Sequence, residues 1–130
     1  MSTFVEQVRA RLVGDNTILE LLGVTNTRIY PQVAPQGTTA PYAVLTVVSD
    51  VPENSFTSEV DELLRNARLQ VDCYAATYLG AHQVARAVDV VVAGLSGSDL
   101  SAVRESSRDL YDDEAQLHRV SMDFSVWGGE

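Results

Sequence analysis

A chain of 130 residues and 14.1 kDa predicts one compact domain spanning residues 1–130. It is too short for two cores of ordinary size, yet long enough to remove roughly two thirds of its unfolded surface from water. Nine basic residues, scattered singly, oppose 18 acidic ones for a formal charge of −9, which argues against a nucleic-acid or anionic-membrane clamp because both need concentrated positive charge.

One cysteine, Cys73, gives no disulfide framework, and no apolar run approaches transmembrane length. Residues Met1 to Glu6 lack the basic start and apolar stretch of a signal peptide. Synthesis in an intracellular, reducing compartment is therefore the expectation.

Thr3-Phe4-Val5-Glu6 reads as a capping box, and Phe4, Val8 and Leu12 follow at helical spacing, so a first helix is expected to about Gly14. A second box, Thr17-Ile18-Leu19-Glu20, opens a short apolar helix through Leu22, with Gly23 placed to end it in the left-handed conformation. From Arg28 the breakers Pro31, Pro35, Gly37 and Pro41 predict a turn-rich connector. Tyr42 to Val48 is apolar on both faces, as in a strand covered on both sides.

Ser49 to Asp61, with Pro52, Asn54, three serines and four carboxylates, reads as a solvated excursion between two strands. Phe56 and Val60 are out of character there, and an aromatic on a polar loop costs solvation unless a neighbour receives it. Glu53, Phe56, Glu59, Val60 and Asp61 are accordingly the candidate assembly interface.

Ala67, Leu69, Val71 and Cys73 alternate with polar positions, the period of a strand with one face on a core. After a Thr77 cap, Ala81, Val84, Val88, Val91, Val92 and Leu95 recur at helical spacing until Gly94 and Gly97 stop the run. Val103 to Leu110 is a weaker strand, Asp112-Asp113-Glu114 a turn, and Val120, Met122, Phe124 and Val126 mark the last strand. The order ααββαββ predicts an α+β fold, an antiparallel sheet of about four strands with helices on one face.

Residues for catalysis are few. His82 and His118 are the only imidazoles, read as a boundary and a core-edge histidine. Cys73 lies on the apolar side of its strand and reads as a small hydrophobe. No Cys-x-x-Cys or His-x-x-x-His spacing exists for zinc, and the acidic run from Asp109 to Glu114 lacks the glycine and ligand spacing of a calcium loop. Gly94 and Gly97 follow a helix, the wrong polarity for a phosphate cradle. No enzyme activity, cofactor or metal is expected.

Three stretches then carry a resemblance over nearly the whole chain. They are Arg28-Ile29-Tyr30-Pro31 with Ala34-Pro35-Gln36-Gly37 and Pro41-Tyr42; Arg68-Leu69-Gln70-Val71-Asp72-Cys73-Tyr74-Ala75 running through Thr77-Tyr78; and Arg108-Asp109-Leu110-Tyr111, Leu117-His118-Arg119 and Asp123-Phe124-Ser125-Val126-Trp127. Their order and spacing resemble the tail-completion, or tail-terminator, proteins of long-tailed bacteriophages.

The resemblance implies a structural virion subunit at the head-tail interface. It would form a hexameric ring on the tail tube, contact the tube protein and the head connector or stopper, and let DNA pass the lumen without specific binding. The family has no catalytic residues to carry over. Two alternatives stay open: a head-side connector or stopper subunit, and, from another class, a small α+β ligand-binding or enzymatic domain. Six globules of about 36 Å diameter in a circle leave a hole about one globule wide, enough for duplex DNA. The acidic charge reads equally as a lumen that repels phosphates or as simple solubility.

Overall fold

Three helices and five strands follow one another as α1 (Phe4–Val13), α2 (Asn16–Leu22), β1 (Ile29–Pro31), β2 (Tyr42–Glu53), β3 (Leu64–Ala75), α3 (Tyr78–Ala93), β4 (Leu100–Asp112) and β5 (Leu117–Gly128). The structure, a computed structural model, describes residues 4–25, 27–53, 64–95 and 100–128. The strands form one mixed sheet in the order β1-β2-β3-β5-β4. Its four long strands are antiparallel neighbours, as the sequence predicts.

The fifth strand comes from the segment read as a connector: Ile29, Tyr30 and Pro31 pair in parallel with Ala43, Val44 and Leu45. A strand of three residues at a sheet edge carries too little periodicity to stand out, and the edge tolerates Pro31 because an edge strand needs only half its ladder bonds.

β2 is longer than expected. Ser49 to Glu53, read as the start of an excursion, instead continue the ladder, with Asp50 opposite Ala67 and Glu53 opposite Leu64. A bulge between Val47 and Ser49 absorbs the change of phase. Pro52 is compatible because β1 reaches only Leu45, which leaves this part of β2 at the edge. Of the candidate interface residues, Glu53 is thus the last residue of β2, and Phe56, Glu59, Val60 and Asp61 lie outside the described residues.

The helices cover one face. α3 packs on β3, β4 and β5, α1 on α3 and β2, and α2 on α1 and α3. Phe4, Val8 and Leu12 of α1, Ile18 and Leu22 of α2, and Val84, Val88 and Val92 of α3 are buried with Leu69, Val71 and Cys73 of β3 and Met122, Phe124 and Val126 of β5.

Burial of β2 on both faces holds only for Ala43, Val44 and Leu45, since Val48 is 56% exposed. The cap of α2 also shifts: Asp15, not Thr17, accepts the Ile18 amide at 3.1 Å, because the carboxylate two residues earlier reaches the open end of the helix first. Gly23 ends α2 at positive φ (106°) but with an extended ψ of 136°, outside the left-handed helical well. At α3, Thr77 caps as expected, and Gly80 lets it, because a Cβ there would stand 2.8 Å from the Thr77 hydroxyl.

Candidate assembly surfaces

The face of the sheet without helices is where the structure concentrates polar chemistry. Because opposed residues of antiparallel strands share a face, the register puts Tyr42 beside Tyr74, Tyr74 beside Arg119, and Asp72 beside Ser121. Tyr42 and Tyr74 stack at 4.7 Å between ring centroids, and Tyr30 from β1 meets Tyr42 edge-on at 6.5 Å. Arg119 lies over the Tyr74 ring at 5.9 Å and donates to its hydroxyl at 3.4 Å.

Asp72 is 6% exposed although no helix covers it. Gln70 donates to one of its oxygens at 2.9 Å, and Arg119 Nε stands 3.6 Å from the other, beyond hydrogen-bond contact. Burial works against the Arg119 charge, but the Tyr74 hydroxyl and the Asp72 carboxylate outweigh it and raise the pKa of the guanidinium. Burial, with the neighbouring Tyr74 and Asp112, raises that of Tyr42.

Farther along the same face Arg68 pairs with Glu105 at 2.8 Å, Glu105 also receives Ser125, and Ser106 donates to Asp123. Arg68, Arg108 and Arg119 thus stand among Asp72, Glu105, Asp112 and Asp123, so this face is close to neutral on a chain of net charge −9.

On the helical side, α3 is clasped to the edge strand β4 by polar contacts. Tyr78 donates to Asp109 at 3.2 Å, His82 Nε2 lies 3.0 Å from the same carboxylate, and Arg104 reaches Asp89 at 3.4 Å. That hydrogen bond to Asp109 is the main cause of a raised Tyr78 pKa. His118 sits between Tyr111 (4.9 Å) and Tyr78 (6.1 Å). Sequence reasoning placed both histidines at the core margin. It missed that Tyr78 stands beside both, 4.4 Å from His82 and 6.1 Å from His118, because α3 and β5 meet only through the fold.

A histidine beside a carboxylate is half of a catalytic arrangement, but the third partner here is a phenol that donates to the carboxylate, with no nucleophile on the imidazole. Cys73 is fully buried, and burial pushes its thiol pKa far up, so it packs as the sequence predicts. Among the described residues no three His, Cys, Asp or Glu side chains converge as a metal site.

A family described as tail completion protein gp17 matches residues 6–128. The chain belongs to this family. Its role is structural, in bacteriophage tail completion. A chain in the virion of a native gene transfer agent particle shares its fold, with a TM-score of 0.74 over 95% of this chain and 92% of that one. Identity between the two is 18%, a level at which the likeness speaks for architecture alone. No curated protein matches by sequence.

Proposed function

We propose that this tail-completion subunit is a one-domain terminator that closes into a ring, hexameric as the family resemblance implies and the size of the globule permits, on the last ring of the tail tube. The observation that carries this reading is the family match across residues 6–128. The ring would stop tube growth, offer its other side to the head connector or stopper, and leave a lumen through which DNA slides.

The shape of the molecule supports a closed ring. Its two sheet edges differ, with a short β1 beside the outer half of β2 on one side and the 13-residue β4 on the other. Unlike edges favour head-to-tail contacts, which close into rings when the rotation allows. We also propose Glu53 and the segment after it, with Phe56, Glu59, Val60 and Asp61, as an assembly contact in which Phe56 is the apolar anchor.

Native mass spectrometry of tails carrying the subunit tests the ring by counting copies per tube, and a C-terminal label seen by electron microscopy tests its position at the head-proximal end. A single copy per tube, or label away from the neck, would refute it. Phe56→Ala should reduce tail completion while leaving the thermal midpoint of the free chain unchanged. Normal completion by that variant would remove Phe56 from the interface.

A further inference from the structure

Two further surfaces stand apart from the core, one on the helical side and one at the β4–β5 turn. The first is a groove of about 440 Å³ between α2 and α3, lined by Asp15, Thr17, Leu21, Arg86, Ala87 and Val90. Its wall is apolar where Leu21 and Val90 face it, and Val90 is 70% exposed, unusual for a valine on the main packing helix.

Arg86 is the cation of this groove. Arg9 and Arg28 bond to backbone carbonyls, Arg68 and Arg104 to carboxylates, and Arg119 to Tyr74 beside Asp72. Arg86, like Arg108 on the helix-free face, makes no hydrogen bond or ion pair to a described residue. Asp15, also in the groove, commits one oxygen to the cap of α2.

The second surface is the β4–β5 turn. Asp112 Oδ1 accepts the amides of both Glu114 and Ala115, at 3.1 and 3.2 Å, so the turn is held as a formed projection. Asp113 and Glu114, at its tip, pair with no described residue. Behind them Leu110 and Tyr111 leave 37% and 52% of their surface exposed. The projection is therefore acidic at the tip and apolar at the base, while the groove, besides Asp15, Thr17 and Gln83, offers Leu21 and Val90 and an arginine with no hydrogen-bond or ion-pair partner among the described residues. The two lie on different elements, so a copy can present its turn to one neighbour and its groove to the other.

We infer that the groove between α2 and α3 receives the Tyr111–Glu114 turn of a second copy of this chain, with Arg86 paired to Asp113 or Glu114 and Val90 covered by Tyr111. This contact is head-to-tail, and it rests on the ring reading above, for which it supplies one set of contact residues. Acidic copies repel at long range, and a placed cation opposite a placed anion fixes which surfaces meet.

Charge reversal on the full-length chain tests it. Self-association is measured by sedimentation velocity over a concentration series, and copies per tail by native mass spectrometry. Arg86→Glu should weaken association at least about tenfold, as should Asp113→Arg with Glu114→Arg, and combining both reversals should recover most of the loss. In a Cys73→Ala background, a copy carrying Val90→Cys mixed with a copy carrying Glu114→Cys should cross-link between chains.

If the wild-type chain assembles on tails and Arg86→Glu assembles equally well, or if the combined reversal is no better than either alone, this contact is wrong and the ring reading stands. If the wild type is present as a single copy, the ring fails and the contact with it. Unchanged circular dichroism and thermal midpoint confirm that a loss reports association. Should Arg86→Glu unfold, Arg86→Gln together with the cross-link decides.

Discussion

Asp72 and Arg119 provide a sharp test of how the helix-free face is held. The Asp72 side chain is 8% exposed, whereas that of Arg119 is 32% exposed. Gln70 is the only described donor to Asp72, so Arg119→Ala would take from that buried carboxylate the cation 3.6 Å away, and orphaning a buried charge costs about 3 kcal/mol at the low end of the usual range. Loss of the guanidinium over Tyr74 adds about 0.5–1 kcal/mol, for a total of about 3–4.

Asp72→Ala is milder. Arg119 is free to swing toward water, the bond from Gln70 is worth about 1 kcal/mol, and removal of a buried charge gives part of that back, so about 1 kcal/mol is expected. The double variant should cost about 1–2 kcal/mol, less than Arg119→Ala alone, with a coupling energy of about 2–4 kcal/mol. Urea unfolding of the four proteins, at a concentration where the chain is monomeric, gives each number. For a chain of this size the Arg119→Ala midpoint should fall by roughly 10–15 °C. The reasoning fails if Asp72→Ala is as destabilising as Arg119→Ala, or if the coupling is below about 0.5 kcal/mol.

Cys73 should resist thiol reagents in the folded chain, and Cys73→Ala should cost about 1–2 kcal/mol because only one buried sulfur is lost. Its folded pKa lies above the ordinary value of 9.0, so its contribution to stability is full below pH 9.0 and declines as pH rises beyond it. Cys73→Ala should flatten that alkaline decline in denaturation curves taken between neutral pH and the alkaline limit, and an unchanged slope would contradict the burial. Asp109→Asn weakens a clasp whose members are largely exposed, so a stability change within about 1 kcal/mol is expected by thermal melting; a loss beyond about 3 kcal/mol would mean that α3 depends on it. Mobility shift at low salt, where phosphate contacts are strongest, should show no tight complex with duplex DNA, and salt-sensitive binding would end the idea of a lumen through which DNA slides.

Elements whose periodicity is long and whose caps are local are legible in the amino-acid order alone. Phe4, Val8 and Leu12 mark α1, and Thr77 with the apolar series from Ala81 to Val92 marks α3. The alternation from Ala67 to Cys73 and from Val120 to Val126 marks the two central strands and assigns Cys73 to the core. Each of these signals comes from neighbours within a few residues, which is why it survives without knowledge of the fold. The family resemblance is likewise visible in ordered segments of the chain, and the match over residues 6–128 agrees with it.

The remaining features depend on partners distant in sequence and emerge only when the chain is packed. Ile29 to Pro31 become a strand only when Ala43 to Leu45 lie beside them, and Ser49 to Glu53 become strand only because Leu64 to Arg68 offer a ladder across a bulge. The surfaces follow the same rule. Tyr42 meets Tyr74, Arg119 meets Asp72, and His82 meets Asp109, through register and packing that no local pattern encodes. A polar residue looks the same in sequence whether it is solvated, clasped or waiting for a neighbour; the difference lies in which surfaces the core brings together and which it leaves open.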